Sequence, residues 1–181
     1  MIDQFGFDDL GRPCKDLYFM NLSFHVASRS LDPSTKCGCI AVDEDGFILA
    51  TGYNSPPIGS IDQNIPTTRP EKYSFYEHSE RNCIYCAARH GTSLKNATFY
   101  ITGRPCMDCL RGMIQVGAKR IVYGPNTAKM STEKDWEMYT LMLTGMNISF
   151  EEFKYDNSLI DLGDITREKI KDIIYGKQRT D

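Results

Sequence analysis

The period of the apolar residues changes along this chain, and each change predicts an element. Residues 1–14 have no period and read as an arm closed by Gly11 and Pro13. Leu17, Met20, Phe24 and Ala27 then recur at helical spacing, with Asp16 placed to cap a helix that ends near Ser28 or Arg29. Leu31-Asp32-Pro33-Ser34 reads as a turn. Cys37 to Val42 and Phe47 to Thr51 flank the acidic Asp43-Glu44-Asp45-Gly46 and predict a β-hairpin. From Gly52 to about Tyr76 the chain is proline-rich, poor in aliphatics and without period. Loops of that length are usually functional or disordered. Because this one leads into His78, it is expected to form a lid or wall of a site.

The second half alternates more regularly. A helix is predicted over about 79–89 with Gly91 as its stop, a strand over 97–102, a helix over 106–116 stopped by Gly117, and a strand over 120–123. The strand–helix–strand unit implies a parallel pair with a right-handed crossover. Trp136, Tyr139 and Leu143 mark a further helix ending at Gly145, Ile148 and Phe150 alternate as a fifth strand, and Ile170, Ile173 and Ile174 share one face of a terminal helix. The order predicts an α/β fold: a three-layer α/β/α sandwich around a mixed five-stranded sheet. With 181 residues, no repeat and no linker, the chain reads as a single domain, 1–181, with a core of about 15–124 and an extension of about 125–181.

Composition narrows the function classes. Hydrophobic residues at 41% and charged residues at 25% are ordinary for a globular chain. A net charge of −3 provides no basic field, so no nucleic-acid partner is expected. Met1 to Leu10 does not have the character of a signal peptide, and no window reaches the length of a membrane span. Seven cysteines without an export signal fit a reducing cytoplasm and argue against a disulfide framework.

The candidate chemistry lies in two stretches. His78-Ser79-Glu80 offers an imidazole and a carboxylate, and Pro105-Cys106-Met107-Asp108-Cys109 offers two thiols. Alone, C-x-x-C also suits redox motifs and structural zinc. Residues two apart on a helix point about 200° apart, so His78 and Glu80 share a site only if His78 sits at the helix entrance, before helical angles begin. Cys106 and Cys109 share a helix face, and the positive helix end favours the thiolates that zinc needs. Pro105 is at or near the first position of that helix. Two helix N-termini then converge with three ligands and one open position, the catalytic arrangement of Zn2+. Two thiolates, a neutral imidazole and Zn2+ sum to zero charge, so the water is acidified less than among three histidines and benefits from Glu80 as base. Attack on an amidine carbon with loss of ammonia is hydrolytic deamination. The alternative is a structural zinc, or a second metal site, using Cys37, Cys39, Cys83 or Cys86. Their positions on a predicted buried strand and an inner helix face instead suit packing. His25 and His90 read most simply as a packing residue and a surface residue.

Together, H-x-E and P-C-x-x-C form the signature of zinc-dependent cytidine and deoxycytidylate deaminases. The chain resembles the deoxycytidylate (dCMP) deaminases in particular over about residues 17–124. The resemblance rests on Tyr18-Phe19-Met20, Ala27-Ser28-Arg29-Ser30-x-Asp32-Pro33, Gly52-Tyr53-Asn54, the long loop, His78-Ser79-Glu80-Arg81-Asn82 and the cysteine motif. It implies a cytidine-deaminase-like fold and conversion of dCMP to dUMP for thymidylate synthesis. It further implies that His78, Cys106 and Cys109 hold zinc, that Glu80 transfers protons, and that Asn54 contacts the sugar or base. The Ser79 amide would meet the pyrimidine carbonyl and the Cys106 amide the attacking oxygen. Arg29 and Ser30 are candidates for the 5′-phosphate. Arg29 reads equally as a charge balancing a helix C-terminus, and Asn54 as a turn residue.

Such enzymes are often hexamers, activated by dCTP with Mg2+ and inhibited by dTTP. Their regulatory loop commonly adds glycine after Gly52-Tyr53-Asn54, where this chain has Ser55 and then Pro56-Pro57. Arg89 matches a position of subunit contact and reads equally as an exposed helix-end residue. Beyond Gly124 the resemblance fades, and residues 145–164 carry five acids against one base, an oligomer contact or a solvated cover. The competing readings are a deaminase of dCTP or of a 5-substituted dCMP, and a zinc-stabilised non-catalytic nucleotide-binding module.

Overall fold

A computed structural model describes residues 2, 6–61, 64–124 and 133–154, the side chains of the last segment from 136 onward. The helices are α1 (Lys15–Ala27), α2 (Ser79–His90), α3 (Met107–Gln115) and α4 (Glu133–Leu143). The strands are β1 (Gly38–Val42), β2 (Ile48–Tyr53), β3 (Thr98–Ile101), β4 (Arg120–Tyr123) and β5 (Ser149–Glu152). The predicted terminal helix around Ile170 and Ile174 lies outside the described residues.

The strands form one mixed sheet in the order β2-β1-β3-β4-β5. The β2, β1 and β3 pairings are antiparallel; the β3, β4 and β5 pairings are parallel. Successive strand residues point to opposite faces, which builds two cores. Cys39, Ala41, Phe99, Ile101 and Ile121 face Cys83 and Ala87 of α2, Leu110 and Met113 of α3, and Tyr139 of α4. Ile40, Val42, Tyr100 and Val122 face Leu17, Phe19 and Met20 of α1. The helices therefore cover both faces, as predicted. Each large apolar side chain buried in this way contributes about 1.5–3 kcal/mol.

Two glycines set how closely helices approach the sheet. A Cβ on Gly52 of β2 would lie 2.2 Å from the Ser79 carbonyl oxygen and 2.3 Å from the Cys83 nitrogen, so α2 lies directly on β2. A Cβ on Gly38 would lie 2.0 Å from the Ser23 oxygen of α1. Cys14, not Asp16, caps α1: its sulfur accepts from the Leu17 amide, while the Asp16 carboxylate is drawn away by Arg120 and Tyr100. A guanidinium forms a stronger partner for a carboxylate than one helical amide does.

Candidate active site

The site lies where β3 runs out into Thr102-Gly103-Arg104-Pro105 and where α2 begins. His78 is the N-cap of α2 with φ −73° and ψ 155°, extended angles outside the helix, as its shared site with Glu80 requires. Cys106 is likewise the N-cap of α3 at φ −70° and ψ 165°, with Pro105 just before it and Cys109 inside the first turn. His78 Nδ1 is 3.5 Å from both the Cys106 and the Cys109 sulfur. The three donor atoms all lie within 4.8 Å of one another. A tetrahedral zinc at ordinary bond lengths would separate such atoms by about 3.5–3.8 Å, so the donor set fits zinc. Among the described residues, no other group of three or more such side chains comes together in this way. Cys37, Cys39, Cys83 and Cys86 are not drawn into a second cluster, and Cys39 and Cys83 are fully buried in the core.

The electrostatics of the triad follow from its geometry. The Cys109 thiol hydrogen-bonds the Cys106 sulfur and, with His78, pulls the Cys106 thiol down to about 4. The same contact pushes Cys109 up. His78 is raised chiefly by its hydrogen bond to Cys106. The Cys109 thiol thus acts as donor and the Cys106 sulfur as acceptor, beside an imidazole. Glu80 is 5% exposed, and burial pushes its carboxyl up. The Ser79 hydroxyl donates to its Oε2 at 2.9 Å. The Cys37 thiol, raised to about 11 by burial and then by the Glu80 charge, lies within the same electrostatic field.

The other expected site residues divide. Ser30 and Asn54 are buried and joined: Ser30 Oγ donates to the Asn54 carbonyl at 2.8 Å. The Asn54 side chain spans three segments, donating to Thr35 O and Asp32 Oδ2 and accepting from the Cys37 amide at 2.8 Å. Gly52 and Tyr53 are strand residues of β2, with Gly52 serving the close packing of α2. Ser55 pairs through its backbone with Glu77, and Asn82 of α2 donates to Tyr53 O and Ser55 Oγ, so the two ends of the long loop are pinned beside His78. Arg29 is exposed, and among the described residues its side chain joins no hydrogen bond or ion pair in this network.

Sequence reasoning missed three features. Lys72 is buried against Asp32, although nothing periodic marks it. The Arg104 guanidinium, two residues before Cys106, lies 4.5 Å from the Trp136 ring centroid and 5.1 Å from that of Tyr139. The Tyr139 hydroxyl donates to the Pro105 carbonyl, so α4 grips the cysteine loop. Only the proximity of the motif could have drawn attention to Arg104.

This fold, with two thiols and an imidazole held by two helix entrances and a buried carboxylate behind them, defines a zinc-binding deaminase class. The chain belongs to the cytidine and deoxycytidylate deaminase zinc-binding region family, whose sequence model matches residues 13–125. Within the family it is similar to the deoxycytidylate deaminase of Mus musculus, 30% identical over 156 residues, which are 82% of this chain and 85% of the mouse protein. It is 32% identical to the Homo sapiens deoxycytidylate deaminase over 112 residues, 59% of this chain and 62% of the human protein. The crystal structure of the cyanophage S-TIM5 dCMP deaminase in apo form superposes with a TM-score of 0.59 at 25% identity, over 76% of this chain and 96% of that one. The same fold is seen in that enzyme's complex with dCMP and dUMP, with a TM-score of 0.59 at 23% identity, over 75% of this chain and 94% of that one.

Proposed function

We propose that the chain hydrolyses dCMP to dUMP and ammonia, supplying dUMP for thymidylate synthesis. The observation that carries this reading is the His78–Cys106–Cys109 triad with buried Glu80 beside it, in a chain of this family. When bound at the triad, zinc supplies the Lewis acidity that brings the pKa of a water toward neutrality. The protein's own groups do the rest. Glu80 takes one proton from the attacking water and delivers it to the ring nitrogen N3 as the C4–O bond forms. It then carries the water's second proton from that oxygen to the amine, the C4–N4 bond breaks, and ammonia leaves as the C4 carbonyl of dUMP forms while N3 keeps its proton. Burial, which raises the Glu80 pKa, suits a carboxyl that must hold a proton in mid-reaction. Ser79 steadies that carboxyl through its hydroxyl, and its amide is assigned to the pyrimidine carbonyl.

Asn54 is assigned to the sugar or base, and Ser30 with Arg29 to the 5′-phosphate. Ser30 and Asn54 lie in one buried network whose hydrogen bonds join the segments they come from; exposure leaves Arg29 to be reached by the phosphate from solvent. A homo-hexamer, activation by dCTP with Mg2+, inhibition by dTTP, a role for Gly52-Tyr53-Asn54 in that regulation, and a cytoplasmic location complete the reading. Seven free cysteines agree with a reducing compartment.

Glu80→Gln is expected to lower ammonia release from dCMP by about 10²–10⁴-fold with zinc content unchanged. Full retained turnover with zinc bound would overturn the mechanism. A panel of cytidine, CMP, dCMP, dCTP and 5-hydroxymethyl-dCMP, each with and without dCTP or dTTP, tests substrate and regulation together. Turnover of dCTP or the 5-substituted nucleotide alone would replace dCMP, and silence on every member would leave a nucleotide-binding module.

A further inference from the structure

Lysine is almost never fully buried unless paired, and Lys72 is 3% exposed within the loop that precedes His78. Its Nζ lies 2.8 Å from Oδ1 and 2.7 Å from Oδ2 of Asp32, itself 5% exposed and forty residues earlier in the chain. The same carboxylate accepts from the Ser34 and Thr35 amides and from Asn54 Nδ2. Burial pushes the Asp32 carboxyl up, but the Lys72 and backbone hydrogen bonds outweigh it and hold it below its ordinary value. The Asp32 amide donates to Ser30 Oγ, which in turn donates to the Asn54 carbonyl. One ion pair therefore joins the exit of α1, the end of β2 and the long loop.

A buried ion pair is a poor source of stability, because desolvating two charges offsets most of their attraction. Such a pair gains its value from holding one arrangement. Here the arrangement is local: Lys72 lies in the short 3-10 turn Glu71–Ser74. Four and five residues on come Tyr76 and Glu77, with the Tyr76 amide bonded to the Lys72 carbonyl and Glu77 paired to Ser55. His78 follows directly. The pair sits between the residues assigned to the sugar–phosphate end of the nucleotide and the loop that walls them.

We propose that Asp32 and Lys72 are positioning residues that latch the 55–77 loop onto the α1–β1 connection and set Asn54 and Ser30 for the nucleotide's sugar–phosphate end. This rests on the dCMP reading. The latch acts on binding of the remote end of the substrate and leaves proton transfer at Glu80 untouched, so its loss separates KM from kcat.

Lys72→Met leaves a buried carboxylate without its cation and is expected to lower the Tm. The Asp32→Asn, Lys72→Met double variant removes both charges and keeps the oxygen that accepts from the Ser34 and Thr35 amides. Its Tm is expected to return toward wild type and its zinc content to stay at one ion per chain. Its KM for dCMP is expected to remain raised by about tenfold or more, with kcat within about threefold of wild type. Lys72→Arg, which keeps the charge, is expected to recover part of the loss in KM. Where the single variant fails to fold, the double variant carries the test. A double variant with wild-type KM overturns the latch while leaving the dCMP reading intact. A wild-type chain that does not turn over dCMP overturns both.

Discussion

Cys106 and Cys37 are both half-buried thiols near Glu80, yet their environments drive them in opposite directions. Cys106 is held down to about 4 by the Cys109 thiol and by His78, whereas burial and the Glu80 charge raise Cys37 to about 11. The contrast makes alkylation a local probe of the metal centre. In zinc-stripped protein at pH 6.5, Cys106 is therefore expected mostly as thiolate and Cys37 mostly as thiol. A less basic thiolate is also a weaker nucleophile, which recovers much of the difference but not all of it; the net preference for Cys106 is on the order of tenfold. Peptide mapping after iodoacetamide should therefore find Cys106 labelled well ahead of Cys37, with Cys39, Cys83 and Cys109 protected by burial. Restoring zinc should protect Cys106. Equal labelling of Cys37 and Cys106 in the stripped protein would show that the Cys109 thiol and His78 do not hold the Cys106 thiol down.

At the scale of elements, most of the scaffold was legible because each helix and strand buries one face. Leu17, Met20 and Ala27 are buried along α1 at the spacing that predicted it, and β1 sends Cys39 and Ala41 to one core and Ile40 and Val42 to the other. The meeting of His78, Cys106 and Cys109 was legible for a different reason: two short motifs each specify a helix entrance, and the local angles at His78 and Cys106 follow from that position. The cap of α1 and the two side-chain clusters were not legible. Asp16 is a better capping residue than Cys14 on local grounds, and only the sheet partner Arg120 explains why it does not cap. Lys72 lies in a segment without period, and its partner is set by how the loop folds back. Arg104 and α4 meet in space, not in sequence, and their contact has its own consequence. Tyr139→Phe removes the hydroxyl that satisfies the Pro105 carbonyl and should cost about 1–3 kcal/mol of stability. Trp136→Ala should cost about 0.5–2 kcal/mol through the lost contact with Arg104. Because Trp136 is the only tryptophan in the chain, its fluorescence should shift when zinc is removed from the wild type. Fluorescence unmoved by zinc removal would mean that α4 does not sense the cysteine loop.

Across the whole molecule, one arginine adds a charged tie between parts that the apolar core under α1 also joins. Arg120 opens β4, pairs with Asp16 of α1 at 2.6 Å and 2.7 Å, and reaches Glu151 of β5 at 2.9 Å; Tyr100 of β3 donates to the same Asp16. Helix α1 is thereby fixed to the three parallel strands, on the far side of the sheet from α2 and α3. Burial pushes the Asp16 carboxyl up, but the Arg120 and Tyr100 hydrogen bonds win and hold it below its ordinary 3.8. The hydrogen bond from Arg120 lowers Glu151 from 4.5. Groups with depressed folded-state values contribute fully above their unfolded values and lose that contribution as pH falls through the folded ones. The network should therefore stabilise the fold in full above about pH 5 and progressively less below about pH 4. Arg120→Met keeps the apolar stem and removes the charge. At neutral pH it should cost about 1–3 kcal/mol, toward the low end because the pair is partly exposed. Thermal melts of wild type and variant from pH 7 to pH 3 give the decisive comparison: the gap in Tm should narrow as the acids protonate. A gap that stayed constant to pH 3 would mean that Arg120 acts through its packing, with α1 held to the sheet by its apolar face alone.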